Sequence, residues 1–189
     1  MRSQNSDLRI IGGKWRSRKI KFFPKNVRPT TNITRETLFN WLAPSIVGAN
    51  CLDLFSGSGA LGFEALSRGA KHVVMADISK KVITQLKANA ELLETKDVDL
   101  YRINIPGELH KIPDKHFDIV FLDPPFYKNL IKPTCEKLKA LDYLAKDALI
   151  YIEIEAEKRL EIENIVPKTW RILREKTHGA TKIYLLQAD

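Results

Sequence analysis

Cysteine is scarce in this 189-residue chain: Cys51 and Cys135 stand alone, with no CxxC spacing and no histidine pair beside them. That excludes a disulfide framework and a zinc centre, and no other metal site is expected. Long apolar runs are missing too. Nothing approaches the roughly 20 residues of a membrane span, and no signal-like apolar stretch follows Met1 to Asp7. A cytoplasmic protein is the expectation. Internal repeats and low-complexity tracts are also lacking, and 44% hydrophobic with 29% charged residues describes an ordinary globular chain.

Acidic residues are absent from one long segment. Between Leu8 and Arg35 lie Arg9, Lys14, Arg16, Arg18, Lys19, Lys21, Lys25, Arg28 and Arg35, nine cations with no carboxylate among them. The formal charge of the whole chain is +8, so the remainder is close to neutral. A polyanion is the partner that such a local excess fits. Trp15, Phe22 and Phe23 interleave with the cations, and that mixture suits phosphate binding with base stacking. Residues 1–32 carry no sustained period and form a basic N-terminal arm or small hairpin, expected to be separable from the rest. A single domain with a leading helix follows over 33–189.

The leading helix shows in Leu38, Phe39, Trp41 and Leu42, ahead of Pro44. From residue 50, short apolar runs alternate with amphipathic stretches, as in a mostly parallel α/β sheet. Strands are expected at 51–55, 72–76, 99–103, 117–122 and 148–153. Helices are expected at 60–68, from the Ser79 cap onward, and around 131–138. Segments 170–176 and 181–186 flank His178-Gly179 and read as an antiparallel C-terminal hairpin.

The first of these strands runs into Asp53-Leu54-Phe55-Ser56-Gly57-Ser58-Gly59-Ala60-Leu61-Gly62. Glycines allow a sharp turn and close approach of a ligand. Asp77 follows Gly57 by 20 residues, at a strand end where a carboxylate binds a ribose diol. A dinucleotide and an adenosyl cofactor both fit. Asp53 tilts the choice, because a carboxylate repels pyrophosphate and attracts a cationic or amino-bearing ligand.

The fourth strand ends in Asp123-Pro124-Pro125-Phe126. An exocyclic base amine is a poor nucleophile, since its lone pair is delocalised into the ring. Two acceptors, the Asp123 carboxylate and the Pro124 carbonyl, can take its N–H bonds and aim the lone pair. Pro125 stiffens the turn, and Phe126 can stack on the base.

With Arg9-Ile10-Ile11-Gly12-Gly13-Lys14-Trp15-Arg16, Arg28-Pro29-Thr30-Thr31 and Arg35-Glu36-Thr37-Leu38-Phe39-Asn40-Trp41-Leu42, these motifs resemble the RsmD family. Its members are bacterial methyltransferases acting on a guanine N2 of small-subunit ribosomal RNA. The resemblance starts at Leu8 and leaves residues 1–7 outside.

It implies a Rossmann-like methyltransferase fold with S-adenosylmethionine as donor. Asp53, Phe55, Ser56, Gly57 and Gly59 would form the cofactor loop, Asp77 with Ile78 the ribose end, and Asn104 an adenine contact. Thr31 or Arg35 would reach the cofactor carboxylate. Asp123, Pro124, Pro125 and Phe126 would be catalytic, and Arg9, Lys14, Trp15, Arg16, Arg18, Lys19, Lys21 and Arg28 would bind RNA. Asp77 replaces the Glu of many relatives and Phe126 their Tyr, which keeps a carboxylate and a ring. The expected partner is ribosomal RNA within a small subunit or its assembly intermediate, met by a monomer. DNA adenine-N6 methylation and a non-catalytic RNA-binding assembly role are the alternatives, and a nicotinamide oxidoreductase is a more distant one.

Overall fold

The computed structural model describes residues 6–23, 30–113, 116–125, 128–156 and 162–189. The N-terminal arm forms a two-stranded antiparallel sheet, β1 (Ser6–Arg9) with β2 (Lys19–Phe22), joined through a 3-10 turn at Gly13–Trp15. Helix α1 (Asn32–Leu42) follows, capped by the Thr31 side chain, which accepts from the Thr34 amide.

The main chain then alternates β3 (Asn50–Leu54), α2 (Ala60–Ser67), β4 (His72–Asp77), α3 (Lys80–Leu92), β5 (Val98–Arg102), β6 (Phe117–Leu122), α4 (Ile131–Ala140) and β7 (Leu144–Glu155). It ends in the hairpin β8 (Arg171–His178) and β9 (Thr181–Gln187). The seven-stranded sheet has the order β5-β4-β3-β6-β7-β9-β8, parallel from β5 to β7 and antiparallel beyond. The parallel core and terminal hairpin agree with the sequence reading. Element ends differ by one or two residues, except β7, which starts four residues earlier than expected.

Alternation along the strands assigns the two faces of the sheet. Cys51, Val73, Met75, Ile119, Phe121 and Tyr151 point to one core, and Leu52, Leu54, Val74, Val120 and Leu122 to the other. The first core also contains Leu8, Ile10, Trp15, Ile20 and Phe22 from the arm. The arm therefore contributes to the domain's core.

Sequence order runs outward from β3 to β5 on one side, then returns to place β6 on the other. The carboxyl ends of β3 and β6 thus flank the switch point, where open α/β sheets bind ligands.

Candidate functional site

Beyond β3 the backbone turns sharply: Phe55 has φ 65 and Gly57 φ 50. Ser56 buckles this turn to β4. Its amide donates to the Ala76 carbonyl (3.0 Å), its hydroxyl donates to the Asp53 carbonyl (2.6 Å), and the same oxygen accepts from the Ala76 amide (3.0 Å). Gly59 opens α2 at φ 75, where a Cβ would fall 2.5 Å from Leu86 and 2.8 Å from the Phe63 ring. Only glycine fits that combination of backbone angle and space.

Four amides of the loop and the start of α2 are committed within the chain. Gly57 N–H donates to Asp77 Oδ2 (3.1 Å), Gly59 to the Ser56 carbonyl (2.7 Å), Ala60 to Ser58 Oγ (3.3 Å) and Gly62 to Asp53 Oδ2 (3.1 Å). A pyrophosphate cradle needs those donors aimed outward. Here they serve internal oxygens, two of them carboxylate, which disfavours a dinucleotide.

Carboxylates gather where the strands end. Asp53 is 2% exposed, and burial, reinforced by Asp77, pushes its pKa up to about 7 against the pull of the Gly62 N–H. Asp123, just past β6, is half-buried and accepts from the Thr30 hydroxyl (3.2 Å). Burial first and Glu153 second raise its carboxyl well above the usual range, with Thr30 pulling down and Asp53 adding to the rise. A crevice of this sign favours a cation or an amine over a phosphate.

Among the expected cofactor residues, Asp53, Phe55, Ser56, Gly57, Gly59 and Asp77 come together at the switch point. Asp77 keeps the loop and the next helix in place, with Oδ1 accepting from the Ser79 amide (2.8 Å). Ile78 beside it is exposed, an apolar side chain at the rim. Asn104 lies exposed past β5, its amide held by Glu108 (2.8 Å). Pro124 is buried and Pro125 exposed, in line after Asp123, while Phe126 and Arg28 lie outside the described residues.

Two expected roles are corrected. Arg35 is fully buried: its Nη2 donates to the Arg9 carbonyl (3.0 Å) and Asn32 (2.7 Å), and Nη1 stands 3.6 Å from Glu64. It locks the arm to α1 and α2, and its burial leaves no surface for a cofactor carboxylate. Thr31 is exposed and its hydroxyl oxygen accepts from the Thr34 amide as the α1 cap, which does not use up its O–H as a donor. Trp15 is 6% exposed within the core, so its ring packs and does not stack on a base; Phe22 is buried likewise. The cations fare differently, because β1 and β2 alternate Leu8 and Ile20 inward with Arg9, Lys19 and Lys21 outward. Lys14, Arg16 and Arg18 are exposed as well.

Sequence reasoning overlooked Thr30, Tyr151, Glu153 and Glu64. Thr30 stands inside Arg28-Pro29-Thr30-Thr31, but nothing in the local pattern pairs it with a residue 93 positions away. The Glu153 signal was a carboxylate inside an apolar strand, Ile150-Tyr151-Ile152-Glu153-Ile154.

The family model described as conserved hypothetical protein 95 matches residues 8–187. The chain is 44% identical over 185 residues to the Haemophilus influenzae protein named ribosomal RNA small subunit methyltransferase D, covering 96% of this chain and 94% of that one. The Escherichia coli K12 protein of the same name is 43% identical over 188 residues, covering 99% and 93%. Among solved structures, the Escherichia coli protein yhhF superposes with a TM-score of 0.88 at 43% identity, over 97% of this chain and 99% of that one. SMU.776, solved in complex with SAH, is 19% identical with a TM-score of 0.67, over 90% of this chain and 53% of that one, and shares the fold.

Proposed function

The chain belongs to the RsmD family, whose model is described as conserved hypothetical protein 95, and we propose that it methylates the exocyclic N2 amine of a guanine in small-subunit ribosomal RNA. One observation carries this reading: Asp123 lies across the switch point from the glycine loop, with one carboxylate oxygen held by Thr30.

S-adenosylmethionine, when bound, supplies an electrophilic methyl on a positively charged sulfur. The residues present fit it. The internally satisfied loop amides and the acidic crevice suit a cationic ligand with a ribose. Asp77 has lone pairs beyond those taken by Gly57 and Ser79 and can accept from the ribose diol. Phe55, Ile78 and Asn104 would border the adenine.

On the substrate side, Asp123 accepts one amine N–H and the Pro124 carbonyl the other, which localises the nitrogen lone pair. Preorganised acceptors of this kind cost no rearrangement at the moment of transfer. Pro125 keeps the turn stiff and Phe126 stacks on the base. Arg9, Lys14, Arg16, Arg18, Lys19 and Lys21 hold the RNA backbone. The enzyme acts as a cytoplasmic monomer on the small subunit or an assembly intermediate; among the described residues no helix is long and apolar enough to cross a membrane.

A labelled-methyl transfer assay comparing DNA, naked ribosomal RNA and undermethylated small subunits tests the reading. Transfer to guanine N2 of the RNA is expected, with Asp123→Ala lowering the single-turnover rate by about 100-fold or more. Cofactor affinity should change much less, and Asp123→Asn should retain more activity than Ala. Transfer to DNA adenine in preference to RNA, or wild-type turnover by the Ala variant, would overturn it.

A further inference from the structure

Thr30 is 6% exposed, and its hydroxyl reaches across 93 positions of sequence to donate to Asp123 Oδ2 at 3.2 Å. A buried hydroxyl needs a partner, and a backbone carbonyl would satisfy it as well as a carboxylate. Here the partner is the side chain that the reaction described above requires as an acceptor.

The donor is itself held in place. Thr30 immediately precedes the α1 cap, Thr31, whose hydroxyl oxygen accepts from the Thr34 amide. Arg35 ties down the first turn of α1 by donating to Asn32 Oδ1 (2.7 Å) and to the Arg9 carbonyl (3.0 Å). One turn beyond Arg35, the Phe39 ring packs 6.0 Å from that of Phe121 on β6, the strand that ends at Asp123. Donor and acceptor therefore stand on elements packed against each other. The softest remaining degree of freedom is the last torsion of the Asp123 side chain, which for an aspartate is broad and has no sharp preference of its own.

We propose that Thr30 is a positioning residue for Asp123: its hydroxyl bond fixes the rotation of the carboxylate, so that the remaining lone pairs meet the N–H of the target amine. The proposal rests on the amine-methylating reading above, in which Asp123 is the acceptor. A carboxylate turned away from that angle would lose the near-linear N–H···O geometry on which the bond depends, and the nitrogen lone pair would no longer be aimed at the methyl. Thr30 acts through Asp123 and not on the base. The same bond bears on protonation. Glu153 and Tyr151 on β7 and Asp53 on β3 also face this carboxylate, while Arg35, the cation of α1, is turned to Glu64 on α2. Burial pushes Asp123 toward its protonated form, which would offer an O–H where the amine needs an acceptor; the Thr30 O–H pulls the other way, because a donor favours the ionised form.

Thr30→Val removes the hydroxyl and keeps the branched shape of the side chain. At saturating cofactor, its single-turnover methyl transfer to undermethylated small subunits should fall by about 10-fold or more, the scale of one hydrogen bond to a charged group, with cofactor affinity near wild type. Thr30→Ser, which keeps the hydroxyl, should recover most of the rate. The acid limb of that rate, and the Asp123 midpoint read by carbon-13 NMR of the cofactor-free protein, should both move to higher pH in Thr30→Val and stay in place in Thr30→Ser. In an Asp123→Ala background Thr30→Val should cost nothing further, since no carboxylate remains to be positioned, whereas a merely structural role would show its full loss again. Thr30→Ala provides the same comparisons where Thr30→Val fails to fold. A folded hydroxyl-free variant with the wild-type rate, an unmoved Asp123 midpoint, or full additivity with Asp123→Ala would each overturn the proposal. Loss of the amine-methylating reading would appear separately, as a wild-type enzyme that transfers no methyl to guanine.

Discussion

A carboxyl that titrates near 7 while 2% exposed, as Asp53 does, links cofactor binding and stability to pH in opposite senses. In the unfolded chain the same group titrates at about 3.9. Between those values the folded state holds a proton that the unfolded state has lost, so stability is fully present below about 4 and is lost as pH rises through about 7. At 1.36 kcal/mol per unit the effect is on the order of 4 kcal/mol for the cofactor-free protein. Asp53→Asn should abolish it, because the amide oxygen still accepts from Gly62 and no charge is buried. Denaturant melts from pH 4 to 8 should therefore show a falling stability for the wild type and a flatter one for the variant. Affinity for S-adenosylmethionine should respond the other way. Ionised Asp53 favours a cation, so wild-type binding tightens across pH 7 relative to Asp53→Asn, and titration calorimetry on the pair separates Asp53 from ionisations of the ligand itself. Equal pH slopes in the two proteins would remove Asp53 from the site.

The arm and helix α2 meet around one buried carboxylate. Glu64 accepts from the Ile11 and Gly12 amides (2.8 Å each) and from Arg68 Nε (2.7 Å), and faces Arg35 at 3.6 Å, with both Glu64 and Arg35 side chains fully buried. Gly13, at φ 75, lies so close to α2 that a Cβ would stand 1.8 Å from the Ser67 carbonyl oxygen. Asn89 of α3 completes the attachment by pairing its side-chain amide with the Lys21 backbone, at 3.0 and 2.8 Å. Glu64→Ala would strand the Arg35 charge and two amides, at a cost of about 3–5 kcal/mol. Urea unfolding should detect that destabilisation, and Arg35→Met in the Glu64→Ala background should recover part of it; strict additivity of the two changes would show that the pair does not interact. None of this attachment was legible in the sequence. Leu8, Trp15 and Phe22 read as an irregular basic segment because two four-residue strands are too short to display a period, and the α2 groups that hold Ile11, Gly12 and Trp15 lie more than 50 residues away. α3, by contrast, was legible from its Ser79 cap and its one-sided apolar stripe, both of which are local.

Over the whole molecule, sheet order converts separated motifs into one crevice, and this was visible in advance because the carboxyl ends of parallel strands always share an edge. Which residues of that edge act on each other was not visible: Thr30 bonds Asp123, and Glu153 acts on it electrostatically, only through the register of β6 with β7 and the path of the chain into α1. Charge follows the same division. The sequence located the cations, but only the alternation of β1 and β2 shows which surface carries them, with Arg9, Lys19 and Lys21 on the outer face while Leu8 and Ile20 fill the core. Deleting the arm would uncover that core, so its role in RNA binding has to be read by removing charge and not chain. Replacing Arg9, Lys19 and Lys21 by Gln leaves the inward residues untouched and, among the described residues, removes only the Asp7 to Lys19 ion pair, itself exposed. Exposed pairs of this kind contribute at most about 1 kcal/mol, so thermal stability and S-adenosylmethionine affinity should stay near wild type. RNA affinity should not. Each phosphate that the protein no longer neutralises lowers the slope of log affinity against log salt by about 0.7 to 0.9, so the triple variant should bind more weakly at low salt and with a slope shallower by about 2 to 3. Filter binding to small-subunit RNA between low and physiological salt measures both quantities. A triple variant that binds with the wild-type slope would mean that this face meets only solvent and that the RNA lies along another surface.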